Sequence, residues 1–223
     1  MMSGGKLASQ TQLLYSPPLG PVSKNSEQTL AVQERALSFT GEDFDVYQLP
    51  SNEPYCSVRG AMLHLPGKDK MRLRNNDGTV LCELDRKLVA LKPTYDIYRG
   101  NGQEKLGWIE KKALALTDTF EVFLEGNGGL GPFKPPPAYR LEGDFIDRTF
   151  VMKDGANQVV AKVVKDGWIQ FDQFNHYQIR IAPGMDATLV VACCCAIDEE
   201  FDEEHQAERK KKQEEEEDKG GWF

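Results

Sequence analysis

The sequence predicts a mostly β fold, one closed antiparallel β-barrel wrapped around a single hydrophobic helix near the C-terminus. Three observations predict it. Short segments with a period close to two, rich in β-branched and aromatic residues, run from about residue 36 to 181 and are punctuated by tight-turn signals. One later stretch, residues 187–197, has a single polar member in eleven and is apolar on every side, so it must be enclosed. Eleven helical residues span about 16 Å, half of a bilayer core of ~30 Å. The same length matches a strand of about five residues. A helix threaded through a barrel fits that arithmetic, and a membrane span does not.

Residues 1–28 are polar and rich in Ser, Gly, Pro and Gln, and are expected to be a disordered leader. Strands are expected at 36–40, 44–48, 71–74, 79–84, 88–91, 96–99, 107–110, 113–116 and 121–124. After the proline stretch they are expected at 138–141, 149–153, 158–164, 168–171 and 177–181. Asn76-Asp77-Gly78 and Asp154-Gly155 favour tight hairpins. The stretch from Pro132 to Pro137 is a stiff connector between two faintly related halves. The first half carries Val58-Arg59-Gly60, Asp77-Gly78 and Tyr95-Asp96-Ile97; the second carries Leu141-Glu142-Gly143, Asp154-Gly155 and Tyr177-Gln178-Ile179. Pro183-Gly184 ends the last strand, and Asp186 is placed to cap a helix over 186–199. The barrel domain is thus expected over 29–201, followed by a charged tail over 202–223, helical or disordered.

Composition narrows the function. The net charge of -8 is concentrated at one end: residues 198–223 hold twelve acidic and five basic side chains, leaving the body near -1. A near-neutral body is not a general nucleic-acid binder, because neutralising phosphates needs clustered cations. Five cysteines, three of them adjacent at Cys193, Cys194 and Cys195, make a poor disulfide framework. With no apolar signal segment, an intracellular setting is expected, cytoplasmic or peripheral to a membrane, with no transmembrane span.

Several residues resemble the LURP-one-related family. Leu37-x-Phe39-x-Gly41-x-Asp43-Phe44-x-Val46-Tyr47 is similar to its opening. Arg86-Lys87-Leu88-Val89-Ala90-Leu91, followed by Tyr95-Asp96-Ile97-Tyr98-Arg99-Gly100, resembles a central block in which Tyr95 stands where Trp is usual. Pro183-Gly184-Met185-Asp186 running into the apolar helix resembles its ending. The resemblance covers roughly residues 30–199. It implies a tubby C-terminal-like barrel of about twelve strands around a central helix, related to phospholipid scramblases. It also implies a non-enzymatic regulatory or membrane-tethering module.

The candidate chemistry is sparse. In Lys70-Met71-Arg72-Leu73-Arg74 the three cations share one strand face. Lys70, Arg72 and Arg74 are the candidate lipid-phosphate site, since a guanidinium fork suits phosphate and the resemblance implies a phosphoinositide. The bland alternative is a solvated charged ladder. Arg86 and Lys87 could extend the row. Gly126-x-Gly128-x-x-Gly131 has the spacing of a dinucleotide loop, but prolines follow where a helix is required. The adjacent cysteines diverge by about 100° each on a helix, so they cannot share a metal ion and are expected to pack as small hydrophobes. The acids Asp198, Glu200, Asp202 and Glu204 raise a scramblase-like, calcium-responsive alternative, but they lack the central glycine of an EF-hand loop. Pro18-Leu19-Gly20-Pro21 and Pro132–Pro135 match the PxxP pattern. No catalytic residue, metal or cofactor is expected; the partner is an unidentified protein or a membrane phosphoinositide.

Overall fold

In a computed structural model the described residues are 7–11, 13–34, 43–60, 70–87, 90, 92–112, 118–126, 134–165 and 176–201. They form twelve strands: β1 (Gln28–Glu34), β2 (Phe44–Leu49), β3 (Glu53–Arg59), β4 (Lys70–Arg74), β5 (Val80–Arg86), β6 (Thr94–Arg99), β7 (Glu104–Lys111), β8 (Thr119–Leu124), β9 (Tyr139–Asp144), β10 (Thr149–Asp154), β11 (Val159–Lys165) and β12 (His176–Ile181). One helix, α1, runs over 187–201.

Each strand pairs antiparallel with its neighbours in sequence, and β1 closes the ring by pairing with both β2 and β12. An even strand number permits this, because the first and last strands of an up-and-down meander then run in opposite directions. Twelve strands about 4.8 Å apart, tilted by about 40°, enclose a radius of about 12 Å. That is close to the distance at which one helix packs on a surrounding sheet, so α1 fits the lumen. Its members from Leu189 to Ile197 are all 0–1% exposed.

The inward faces alternate as the sequence pattern requires. Val46, Val58, Leu73, Leu84, Ile97, Leu141, Ile179 and Leu30 are each at most 1% exposed and enclose the helix. Neither β3, which forms despite Pro54, nor β1 is among the expected strands. Both are specified by pairing: β1 bridges β2 and β12, so its short apolar pattern is completed only by closure. The expected strands at 36–40, 113–116 and 168–171 lie outside the described residues. So does most of 88–91, of which Ala90 is in no strand.

The leader differs from its expected disorder. Leu7 and Leu19 are 5% exposed and belong to the core. The Ala8 N–H donates to the Val159 carbonyl at 2.9 Å, and the Gln10 N–H to the Pro183 carbonyl at 2.7 Å. A polar average concealed a few apolar anchors, which lay residues 7–11 and 13–27 across one mouth of the barrel.

Candidate functional site

The strand β4 presents its cations as expected: Met71 and Leu73 point inward, and Arg72 is exposed. The three cations do not form one patch. Glu83, opposite Arg72 in β5, faces outward yet is only 1% exposed. Its Oε1 accepts from Lys70 Nζ at 2.8 Å and its Oε2 from Arg72 Nε at 2.7 Å, while Lys70 also lies 3.2 Å from Asp85. Burial raises the Glu83 pKa, but the hydrogen bonds and charges of Lys70 and Arg72 outweigh it and hold the carboxyl below its ordinary value. Two of the three cations are therefore neutralised on the wall.

Arg74 is different. Its Nη1 donates to the Gly78 carbonyl at 3.1 Å, and no carboxylate pairs with it among the described residues. It lines a cleft of about 530 Å³ with Thr79, Arg99, Asn101, Gln103 and Glu104, between the β4–β5 and β6–β7 turns. Arg99 Nε pairs with Glu104 at 3.0 Å, and its Nη1 donates to the leader's Pro17 carbonyl at 2.6 Å. Arg86 does not extend this row. It sits at the far end of β5, 3.4 Å from Glu200 of α1. Lys87 pairs with Asp96 at 3.0 Å.

Arg86 is half of a two-part clamp on the end of the helix. Its guanidinium lies over Tyr95, whose hydroxyl donates to Glu200 at 3.5 Å. Six strands away, Arg148 lies over Tyr177 and meets Asp198 at 3.3 Å, and the Tyr177 hydroxyl donates to Asp198 at 2.8 Å. The faint sequence repeat, with Tyr95 on β6 and Tyr177 on β12, thus becomes two Arg–Tyr–acid sets. Cations at a helix C-terminus also complement its dipole. Asp198 and Glu200, read as candidate calcium ligands, are engaged in this clamp; Asp202 and Glu204 lie outside the described residues. Among the described residues no group of three or more His, Cys, Asp or Glu side chains is arranged to hold a metal ion.

The other mouth is organised by Asp186. Its Oδ1 accepts from the N–H groups of Thr188 at 2.9 Å and Leu189 at 3.3 Å, the expected cap. Its Oδ2 accepts from the Tyr15 hydroxyl at 2.7 Å and the Leu19 N–H at 2.6 Å. Burial raises the Asp186 pKa against those four donors, which act to lower it. Gly184 allows the close approach: its φ is +81°, and a Cβ there would lie 1.9 Å from the Gln10 carbonyl oxygen. The PxxP segment from Pro18 to Pro21 is part of this docked strap. The strap partners were missed from sequence; the available signal was Leu7, Tyr15 and Leu19 standing out of a polar stretch.

All five cysteines are buried free thiols. Burial pushes Cys56 and Cys193 up to about 12, so they are poor nucleophiles. The glycines of 127–131 lie outside the described residues, as does Pro132 in the second PxxP match. Among the described residues no helix is long and apolar enough to cross a membrane.

Comparison with known proteins agrees with this architecture. The family model described as LURP-one-related matches residues 28–198. A crystal structure of a protein from Arabidopsis thaliana is similar, with 15% identity and a TM-score of 0.59, covering 79% of this chain and 93% of that one. At that identity the likeness concerns the fold alone. No curated protein matches.

Proposed function

From its membership of the LURP-one-related family, to which this chain belongs, we propose that the protein is a non-catalytic docking module that holds a membrane phosphoinositide headgroup in the Arg74–Arg99 cleft. The lumen is occupied by α1, so a ligand is taken on the outer wall. The observation that carries the reading is Arg74: alone of the predicted row it keeps an unneutralised guanidinium, and it opens onto a cleft of about 530 Å³. A phosphate monoester would accept from the guanidinium fork, with the Thr79 hydroxyl and the Asn101 and Gln103 amides as further donors. The body has little net charge, so recognition is short-range and weakens with salt.

The test is sedimentation of the full chain with phosphatidylcholine liposomes, with and without phosphoinositide. Arg74→Glu should abolish phosphoinositide-dependent pelleting, whereas Arg72→Gln, altering a cation already held by Glu83, should leave it. Equal pelleting of wild type and Arg74→Glu removes the proposal.

A further inference from the structure

The strap over the Asp186 mouth is read by the barrel as a peptide would be. Its contacts are those of an extended ligand in a groove: main-chain bonds from Ala8 to Val159 and from Gln10 to Pro183, and one from the Gly184 N–H to the Ser23 carbonyl at 2.7 Å. Gln10 Nε2 adds a bond to Asp154 at 3.0 Å. Leu7 and Leu19 are the buried anchors, while Pro17 and Pro18 between the anchors are exposed. Spacing is specified as well. The Tyr15 hydroxyl and the Leu19 N–H must reach the same oxygen of Asp186. The next position must be glycine, because a Cβ on Gly20 would lie 2.1 Å from Thr188 Oγ1.

The fit is incomplete on the barrel side. The Tyr139 hydroxyl belongs to a residue 1% exposed and has no hydrogen-bond partner among the described residues. It lies within electrostatic reach of Asp186 and of Tyr15, at this same mouth. A buried hydroxyl left without a partner is costly, so a segment that offers it an acceptor would fit better than the strap does.

We propose that the Asp186 mouth is a peptide-binding site, occupied in cis by residues 7–11 and 13–27, that accepts an extended segment of a partner protein carrying the pattern Tyr-x-x-x-Leu-Gly. The strap is then a competitor whose release exposes the site. Arg99, which bonds the Pro17 carbonyl, touches both this site and the neighbouring cleft, but peptide recognition needs no lipid.

The probe is a fluorescent synthetic peptide with the sequence of residues 5–22, added to full-length protein without liposomes and followed by anisotropy. Leu19→Glu in the full chain removes a buried anchor that the strap, and no barrel strand, contributes. That variant should bind the peptide at least about tenfold more tightly than wild type, the factor by which cis occupancy reduces the competent fraction. Peptides carrying Leu19→Glu or Gly20→Val should fail to bind it. Limited proteolysis supplies a second measurement: wild type should be cut within the strap while the barrel fragment remains intact. The proposal is overturned by equal peptide affinity for wild type and variant, by equal binding of the altered peptides, or by loss of the whole fold when Leu19→Glu is introduced. That last result would make the strap an indispensable part of the core.

Discussion

Tyr15 donates its hydroxyl to Asp186 at 2.7 Å across 171 positions of sequence, tying the beginning of the described chain to the cap of its central helix. One carboxylate therefore serves two purposes. Oδ1 terminates the helix and Oδ2 holds the strap. Tyr15→Phe removes one donor from a buried carboxylate and should cost about 1.5–3 kcal/mol. Urea unfolding should show a lower midpoint at an unchanged slope. An unchanged midpoint would mean that the bond adds nothing to stability.

The helix is the core, so truncating it should be severe. Leu189 is 0% exposed within the barrel. Leu189→Ala should destabilise the protein by about 2–5 kcal/mol, the cost of lost burial plus a residual cavity. Equilibrium unfolding measures it; a cost well under 1 kcal/mol would be that of a surface position.

Acid should weaken the outer wall at identifiable places. Glu83 and Glu110 are both held below the ordinary glutamate value of 4.5, Glu83 by Lys70 and Arg72, Glu110 by Lys134 and Lys92; in each case burial acts the other way and is outweighed. A carboxyl with a depressed folded pKa stabilises above its unfolded value, and that stability is lost as pH falls through the folded value. Asp186 has the opposite sign: its raised pKa favours folding below the ordinary aspartate value of 3.8, and that contribution disappears as pH rises through the folded value. With Glu83, Glu110 and the Thr79-bonded Asp77 all lowered and Asp186 raised, stability should decline as pH drops below 4.5. Glu83→Gln should flatten the decline, measured by urea unfolding across that range. A wild-type slope retained in Glu83→Gln would assign the dependence elsewhere.

Much of the barrel is legible because it follows from local periodicity. Met71 and Leu73 against Lys70, Arg72 and Arg74 gave the correct faces of β4 from spacing alone, and the all-round apolar character of 187–197 required enclosure. What escaped depends on distant pairings. Glu83 neutralises Lys70 and Arg72 from the next strand, and nothing in the triplet itself announces it. β1 and β3 carry few local signals and are specified by register with their neighbours. The strap was hidden because composition averages over a window, whereas Leu7, Tyr15 and Leu19 act as single anchors. The cap at Asp186 was readable; its second oxygen's partners were not. The Arg74–Arg99 cleft joins two turns and is invisible to any one-strand pattern.

The enclosure of α1 is tested most directly by the three adjacent thiols. Cys193, Cys194 and Cys195 are each 0–1% exposed, and successive helical residues point about 100° apart, so together they sample the full circumference. The full chain would be treated with a maleimide in detergent-free buffer and its adducts mapped by peptide mass spectrometry, before and after denaturation. The account predicts no adduct at any of the three positions in the native protein and adducts at all three once it is unfolded. Rapid labelling of even one of them in the native state would place a side of the helix outside the barrel and contradict the fold on which the rest depends.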